Sequence, residues 1–414
     1  IAFEKHPQIG LIRRELVRGK DSHVLVSGLH ASARALALSA LRTPLLIVMD
    51  NAETAQYMYA DLKSLHGDGV YFFPAAKKRR TTDEAAQIMR TECLSALSGS
   101  PSIIVTYPEA MAEEVPSPSE LSAISIQYKV GQEVQQSAIS SQLSELGFER
   151  VDFVFQPGQY AVRGSIVDIY SYGHDNPYRL DFFGDEIDSI REFDIEDQLS
   201  KSRVEAAEIV GSSSKEKGII KAKGEGLEAK GSIVDYLTDE TVWVSNDWGV
   251  VRYKLEGLEV KGEGLGAKGR RTIEIAQKST FPEYSKVTFD TVPQPIFHKQ
   301  FDLLTEDIRQ HREEGYAIYI LAEQKKQLDR LESIFESDRF AIRPSQGDCK
   351  TADAVRPATP VGPAAPVGFT GINATLHEGF VDRELKVCCY TDHQIFERYH
   401  RVQLSSENAR RGKA

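Results

Sequence analysis

No apolar run in this 414-residue chain approaches the roughly 20 residues that a membrane span requires. Positive charge is in short supply too. Fifty Lys and Arg stand against 61 Asp and Glu, a formal net charge of −11, which speaks against a broad nucleic-acid surface because such a surface needs a basic field. A local basic patch is not excluded. Cysteine is scarce: Cys93, Cys349, Cys388 and Cys389 follow neither a disulfide framework nor a metal-ligand spacing. They are expected to be reduced thiols of a cytoplasmic protein that fill cores, with no metal site, and the adjacent Cys388 and Cys389 should point to opposite faces of a strand. Also missing is any G-K-[ST] phosphate loop, so no working nucleotide motor is hidden elsewhere in the chain.

What is present begins as an alternation. The length exceeds what one core usually holds, so two to four domains are expected. Over residues 1–117, short apolar runs at 23–27, 45–49, 70–73 and 102–106 alternate with helical patterns at 31–41, 52–65 and 83–97, which implies a parallel α/β sheet. The first strand-to-helix junction sits where a phosphate-binding loop would be. Gly28 opens that pattern, but Ala33 replaces its second glycine, Arg34 its lysine and Ala35 its hydroxyl residue. The lysine reaches the β/γ-phosphates and the hydroxyl holds magnesium, so three chemical requirements fail together. Neither ATP hydrolysis nor tight ATP binding is expected here, and no catalytic residue is assigned. The strand pattern at 242–245 agrees: Ser245-Asn246-Asp247 follows it, not the acidic pair of a working ATPase.

The densest signal lies at 156–193, QPGQYAVRGSIVDIYSYGHDNPYRLDFFGDEIDSIREF. It reads as two antiparallel strands, a polar connection and a further strand that enters a hairpin at Gly184-Asp185. Because side chains alternate, Tyr178, Leu180 and Phe182 form a core face, while Arg179, Asp181 and Phe183 face water. An exposed aromatic flanked by arginine is the composition of a protein-binding hot spot, and Arg163 supplies a second guanidinium to the same patch. Residue type alone leaves a plainer reading open, a solvated Arg–Asp pair with Phe183 covered by another part of the chain.

In order and spacing this block resembles domain 2 of bacterial transcription-repair coupling factor (Mfd) and, less closely, domain 2 of the excision-repair protein UvrB. The resemblance implies a small sheet that docks on UvrA, with Arg163, Arg179 and Phe183 at the contacting positions and Asp181 beside them. It also implies an α/β multidomain architecture: a UvrB-like split parallel α/β domain (1–117 and 204–290), an inserted small α+β domain (118–203), a further α/β domain (291–402) and a tail (403–414). On this view the chain from 204 returns to the first domain, with 208–210 as one of its strands. RNA polymerase, DNA, ATP and magnesium are then expected to belong to domains that the family carries beyond this stretch, and the opening on Ile1 fits a segment of something longer. The stretch itself is expected to be a monomeric, non-enzymatic, cofactor-free adaptor that recruits UvrA to a polymerase stalled at DNA damage.

Two other functions compete. One is an active nucleotide-dependent repair enzyme of the UvrB or helicase kind, against which Ala33, Arg34 and Ala35 count. The other is a DNA-binding module using Lys77-Lys78-Arg79-Arg80 and the lysine-rich segments KGEGLEAKG (223–231) and KGEGLGAKG (261–269). The connection 74–83 is short and has no aromatic residue, so the long DNA-gripping hairpin of UvrB is expected to be absent. The lysine-rich segments and the Pro/Gly/Ala stretch 357–368 read as exposed loops, and His393 and His400 as surface histidines at a helix end.

Overall fold

The computed structural model describes residues 2–19, 21–67, 69–78, 81–82, 84–99, 102–174, 176–211, 230–257, 269–341 and 369–398. Arg79, Arg80, Cys349, His400, the 357–368 stretch, the tail and most of both lysine-rich segments lie outside the described residues.

Seven parallel strands form the largest sheet, in the order 285–288, 23–27, 272–275, 242–245, 45–48, 103–106, 70–72. Its central strands are continuous apolar runs such as Leu45–Val48 and Ile103–Thr106, buried on both faces as helix-covered parallel strands must be. The helix Ala52–His66 starts with a reciprocal cap, in which Thr54 N–H donates to Asn51 Oδ1 and Asn51 N–H to Thr54 Oγ1. The strand 242–245 enters beside 45–48, and 272–275 and 285–288 flank 23–27. The polypeptide therefore leaves this sheet after residue 106 and returns to complete it at residue 242, the topology of a split domain. The helix Trp248–Gly257 was not expected from the sequence; Asp247 caps it by accepting the Val250 N–H at 3.0 Å.

The inserted part is a six-stranded sheet in the order 200–204, 186–193, 178–183, 166–170, 159–163, 149–150, antiparallel except for its last pair. The hairpin between Tyr178–Phe183 and Glu186–Phe193 turns at Gly184, whose φ of +65° a side chain would strain. One expectation is corrected here. The strand Ala206–Val210 does not join the large sheet but pairs antiparallel with Ser125–Lys129, all five residues in register. The segment after 203 is thus still tied to the inserted part, with Ala207, Ile209 and Val210 buried in the same core as Tyr128 and Leu146.

A third, mixed sheet of five strands runs 291–293, 380–382, 387–391, 317–322, 370–373. Its strand Val387–Thr391 separates two cores. Cys388 packs with Ile318, Leu331 and Tyr390 on one side, while Cys389, Phe380 and Leu376 belong to the core of the large sheet. The two adjacent thiols do point to opposite faces, and burial raises both to about 12.

Candidate partner-binding site

The six-stranded sheet has a core face and an outer face. Tyr178, Leu180, Phe182, Ile187 and Ile190 are buried on the first, as the alternation requires. The outer face is half covered by its own satellite core, where Val154 from the segment before Gln159 and Ile195 from the loop after Phe193 pack on Ala161, Tyr170 and Phe193. The arginines stand along the margin of that cover.

Asp168 is the centre of the arrangement. Its carboxylate is about 1% exposed and accepts from Arg179 Nε at 2.7 Å and Nη2 at 3.1 Å, and also from Arg163 Nη2. Register places these groups together, since Asp168 lies directly opposite Arg179 on one neighbour and Ala161, two residues before Arg163, on the other. Each guanidinium is also stacked on a ring, Arg163 over Phe153 at 4.5 Å and Arg179 over Phe193 at 4.1 Å. Arg179 gives two further hydrogen bonds to Gln198, one to its carbonyl at 3.3 Å and one to its Oε1 at 3.1 Å. Gln198 holds a left-handed φ of +60°, a conformation that costs a non-glycine residue about 1–3 kcal/mol, within a tight loop closed by the Asp194 N–H donating to the Leu199 carbonyl.

Arg163 and Arg179 are therefore brought together, but not as the two free donors the sequence suggested. Their side chains are 35% and 16% exposed and share one internal acceptor. Asp181 lies on the same face, where it accepts from Arg191 Nη2 at 3.2 Å and from Ser165 Oγ at 3.4 Å. Phe183 is free of cover: at 83% exposure it is the most exposed large hydrophobic side chain among the described residues. Nothing within its domain buries it, so the plainer sequence reading of a covered ring does not hold.

Several surface members escaped the sequence reading. Phe155 and Leu199 are exposed at 59% and 65%, on the two segments that frame the arginines. Arg203 is directly opposite Arg191, which is directly opposite Arg179, so three guanidinium-bearing residues line up across adjacent strands. Arg191 has Asp181; Arg203, on the sheet's outermost strand, forms no ion pair among the described residues. Only a full strand register could have revealed that row, because its members are twelve residues apart in sequence.

The other predicted site is the junction after the strand His23–Ser27. Ala33 and Ala35 are buried in the core, and Arg34 turns back so that its Nε donates to the Leu29 carbonyl at 3.3 Å. Gly28 has a φ of +75°, and a Cβ there would sit 2.0 Å from the Phe289 carbonyl oxygen. The close approach that glycine permits is thus made by the chain's own backbone.

The class of the inserted part follows from family comparison as well as from geometry: residues 126–214 match the UvrB interaction domain. That match runs past the strand Ala206–Val210, in line with its pairing in the fold. The relatives are more particular. The chain is 32% identical over 186 residues to the transcription-repair-coupling factor of Bacillus subtilis, covering 42% of this chain and 16% of that protein. It is 44% identical over 82 residues to the transcription-repair-coupling factor of Escherichia coli, or 20% of this chain and 7% of that one. UvrABC system protein B of Streptococcus uberis is 28% identical over 192 residues, 42% of this chain and 29% of the relative. The chain is thus homologous to transcription-repair-coupling factors and, secondarily, to UvrB, over less than a third of the length of each of these relatives.

Proposed function

We propose that this chain is the UvrA-recruiting adaptor module of a transcription-repair coupling factor, serving DNA repair by linking a stalled RNA polymerase to nucleotide excision repair. The observation that carries the reading is Phe183, a bare ring at the tip of a hairpin, on the same sheet face as two arginines already held in place by Asp168. Arginine side chains held in place in advance lose little entropy on binding, and an exposed ring offers a large apolar area to bury, which is what an interface anchor requires. Arg163 and Arg179 would offer their outward N–H groups to carboxylates of UvrA while Phe183 enters an apolar pocket. The match to the UvrB interaction domain and the similarity to coupling factors support the same partner.

The module works without nucleotide chemistry of its own on this proposal, supported by the buried alanines and the self-filled junction at Gly28. Polymerase binding, DNA translocation and ATP turnover then belong to other parts of such a factor. The decisive experiment is titration of purified UvrA with the chain and with Phe183→Ala. Because the ring buries nothing at home, the variant keeps the fold, and unchanged affinity would remove this surface from the partner interface.

A further inference from the structure

In open α/β sheets ligands bind outside the carboxyl ends of the strands, and anions favour the helix N-terminus that follows. Here that position, at the start of the helix Ala33–Ala40, is filled from within the molecule. Thr291 closes one side by donating its Oγ1–H to the Gly28 carbonyl at 2.8 Å and accepting the His30 N–H at 2.9 Å. The third sheet's loop 376–379 closes the other. Ser32 N–H donates to the Glu378 carbonyl at 3.3 Å, and Ser32 Oγ accepts the Glu378 N–H at 3.0 Å. Ser32 Oγ–H in turn donates to Asp61 Oδ2 at 2.5 Å, and Asp61 Oδ1 accepts the His377 N–H at 2.6 Å. The Tyr57 ring stacks on the His377 imidazole at 3.5 Å, and Leu376 is buried in the core of the large sheet.

We propose that this junction is a receptor for the chain's own 376–379 loop, so that the surface a phosphate would use instead fastens the third sheet to the first. The chemistry of the donor set selects a peptide. Asp61 places buried carboxyl oxygens one hydrogen bond from Ser32 at the helix start, and these accept the N–H groups of a backbone, whereas the oxygens of a phosphate need donors. Ser32 serves as donor and acceptor at once, matching the paired N–H and C=O of Glu378 as a β-bridge would. Burial pushes the Asp61 carboxyl up to about 7 against the two hydrogen bonds it accepts, the mark of a group enclosed by protein on every side. His6 against Asp382 at 3.4 Å and Gln8 against Glu384 at 3.3 Å continue the contact beyond the loop.

Hydrogen exchange on the whole chain tests this. Ser32→Ala removes the hydroxyl from the first domain alone and should speed exchange at the 377 and 378 amides about tenfold, with residues 45–48 of the large sheet unchanged. Gly379→Ala attacks from the other side, since its Cβ would lie 2.1 Å from Gln294 Oε1 and 2.6 Å from the Cys389 carbonyl oxygen. It should release the Ser32 amide. Unchanged exchange at 377 and 378 in Ser32→Ala, or at Ser32 in Gly379→Ala, overturns the proposal. So does protection of residues 28–36 of the unmodified chain by magnesium and ATP, which would show that nucleotide still reaches the junction.

Discussion

The outer face of the small sheet and the first junction of the large one each contain a buried aspartate, yet they do opposite things with it. Asp168 is enclosed by two guanidinium groups, and the enclosure holds charged, stacked side chains at the surface. Asp61 is enclosed by neutral donors only, a hydroxyl and a backbone N–H, and the enclosure seals a surface off. A carboxylate between cations can support a display, because the charge that cost desolvation is also the charge that organises its neighbours. At Asp61 burial outweighs the two hydrogen bonds it accepts and no cation compensates it, so the carboxyl holds its proton more readily and suits a closed seam.

The sharpest way to break this contrast is Asp168→Ala. It leaves two guanidinium groups adjacent without an anion, and breaking a buried ion pair costs about 3–5 kcal/mol. The low end of that range applies, because the Arg163 side chain is a third open to water. Chemical denaturation should show the loss, and UvrA binding should fall in the fraction that remains folded. Phe183→Ala comes next and separates display from stability. Truncating such an anchor costs about 2–4 kcal/mol of binding, thirtyfold or more in affinity. A surface truncation should alter folding stability by no more than about 0.5 kcal/mol. A comparable loss in both measurements would mean that Phe183 supports its own sheet after all.

How far the sequence could be read divides along the same line. Phe183, Arg179 and Asp181 were legible because strand alternation and the Gly184-Asp185 turn fix which side chains face out. The partner of those arginines was not, because Asp168 reads on its own as one polar residue in a buried strand, and only the pairing with Arg179 gives it a role. The parallel sheet was legible over 1–117 as an alternation of strands and helices and its split only through the family resemblance, while the strand at 208–210 was assigned to the wrong sheet. Five residues of β-forming sequence carry no address, and the choice between two edges is made by tertiary packing. At Gly28 the departures from a phosphate-loop pattern could be read from Ala33, Arg34 and Ala35 alone. The packing of the 376–379 loop there could not, since that loop lies more than three hundred residues away.

A milder probe of the seam uses protons. The Asp61 carboxyl sits at about 7 in the fold, against a usual value of 3.8. Between those limits the folded chain holds a proton that the unfolded chain lacks, so this group's contribution is fully present below 3.8 and is lost as pH rises through about 7. One proton gives a slope of at most about 1.4 kcal/mol per pH unit. His377, Glu378, Cys389 and His393, which is buried here and not the surface histidine the sequence suggested, also face the seam, and comparing Asp61→Asn with the unmodified chain cancels their titrations to first order. The melting temperature of the variant should gain on the unmodified chain steadily from pH 4 to pH 7, a window set by the two values above. A difference that is flat with pH would show that Asp61 keeps its charge inside the seam.

The smallest expected effect belongs to Arg203, and it tests how far the display reaches. Arg203 is exposed, lacks an ion pair among the described residues, and continues the row of Arg179 and Arg191 toward the edge of the sheet. A charge at the rim of an interface acts mainly on the rate of encounter and little on the lifetime of the complex. Arg203→Ser should therefore slow association with UvrA about two- to fivefold at low ionic strength and leave dissociation unchanged, with the difference fading above about 0.3 M salt as screening shortens to a few ångströms. Stopped-flow association at two salt concentrations distinguishes the cases. A faster off-rate would place Arg203 inside the buried interface beside Arg179, and no change at either salt would end the partner-facing surface at Arg191.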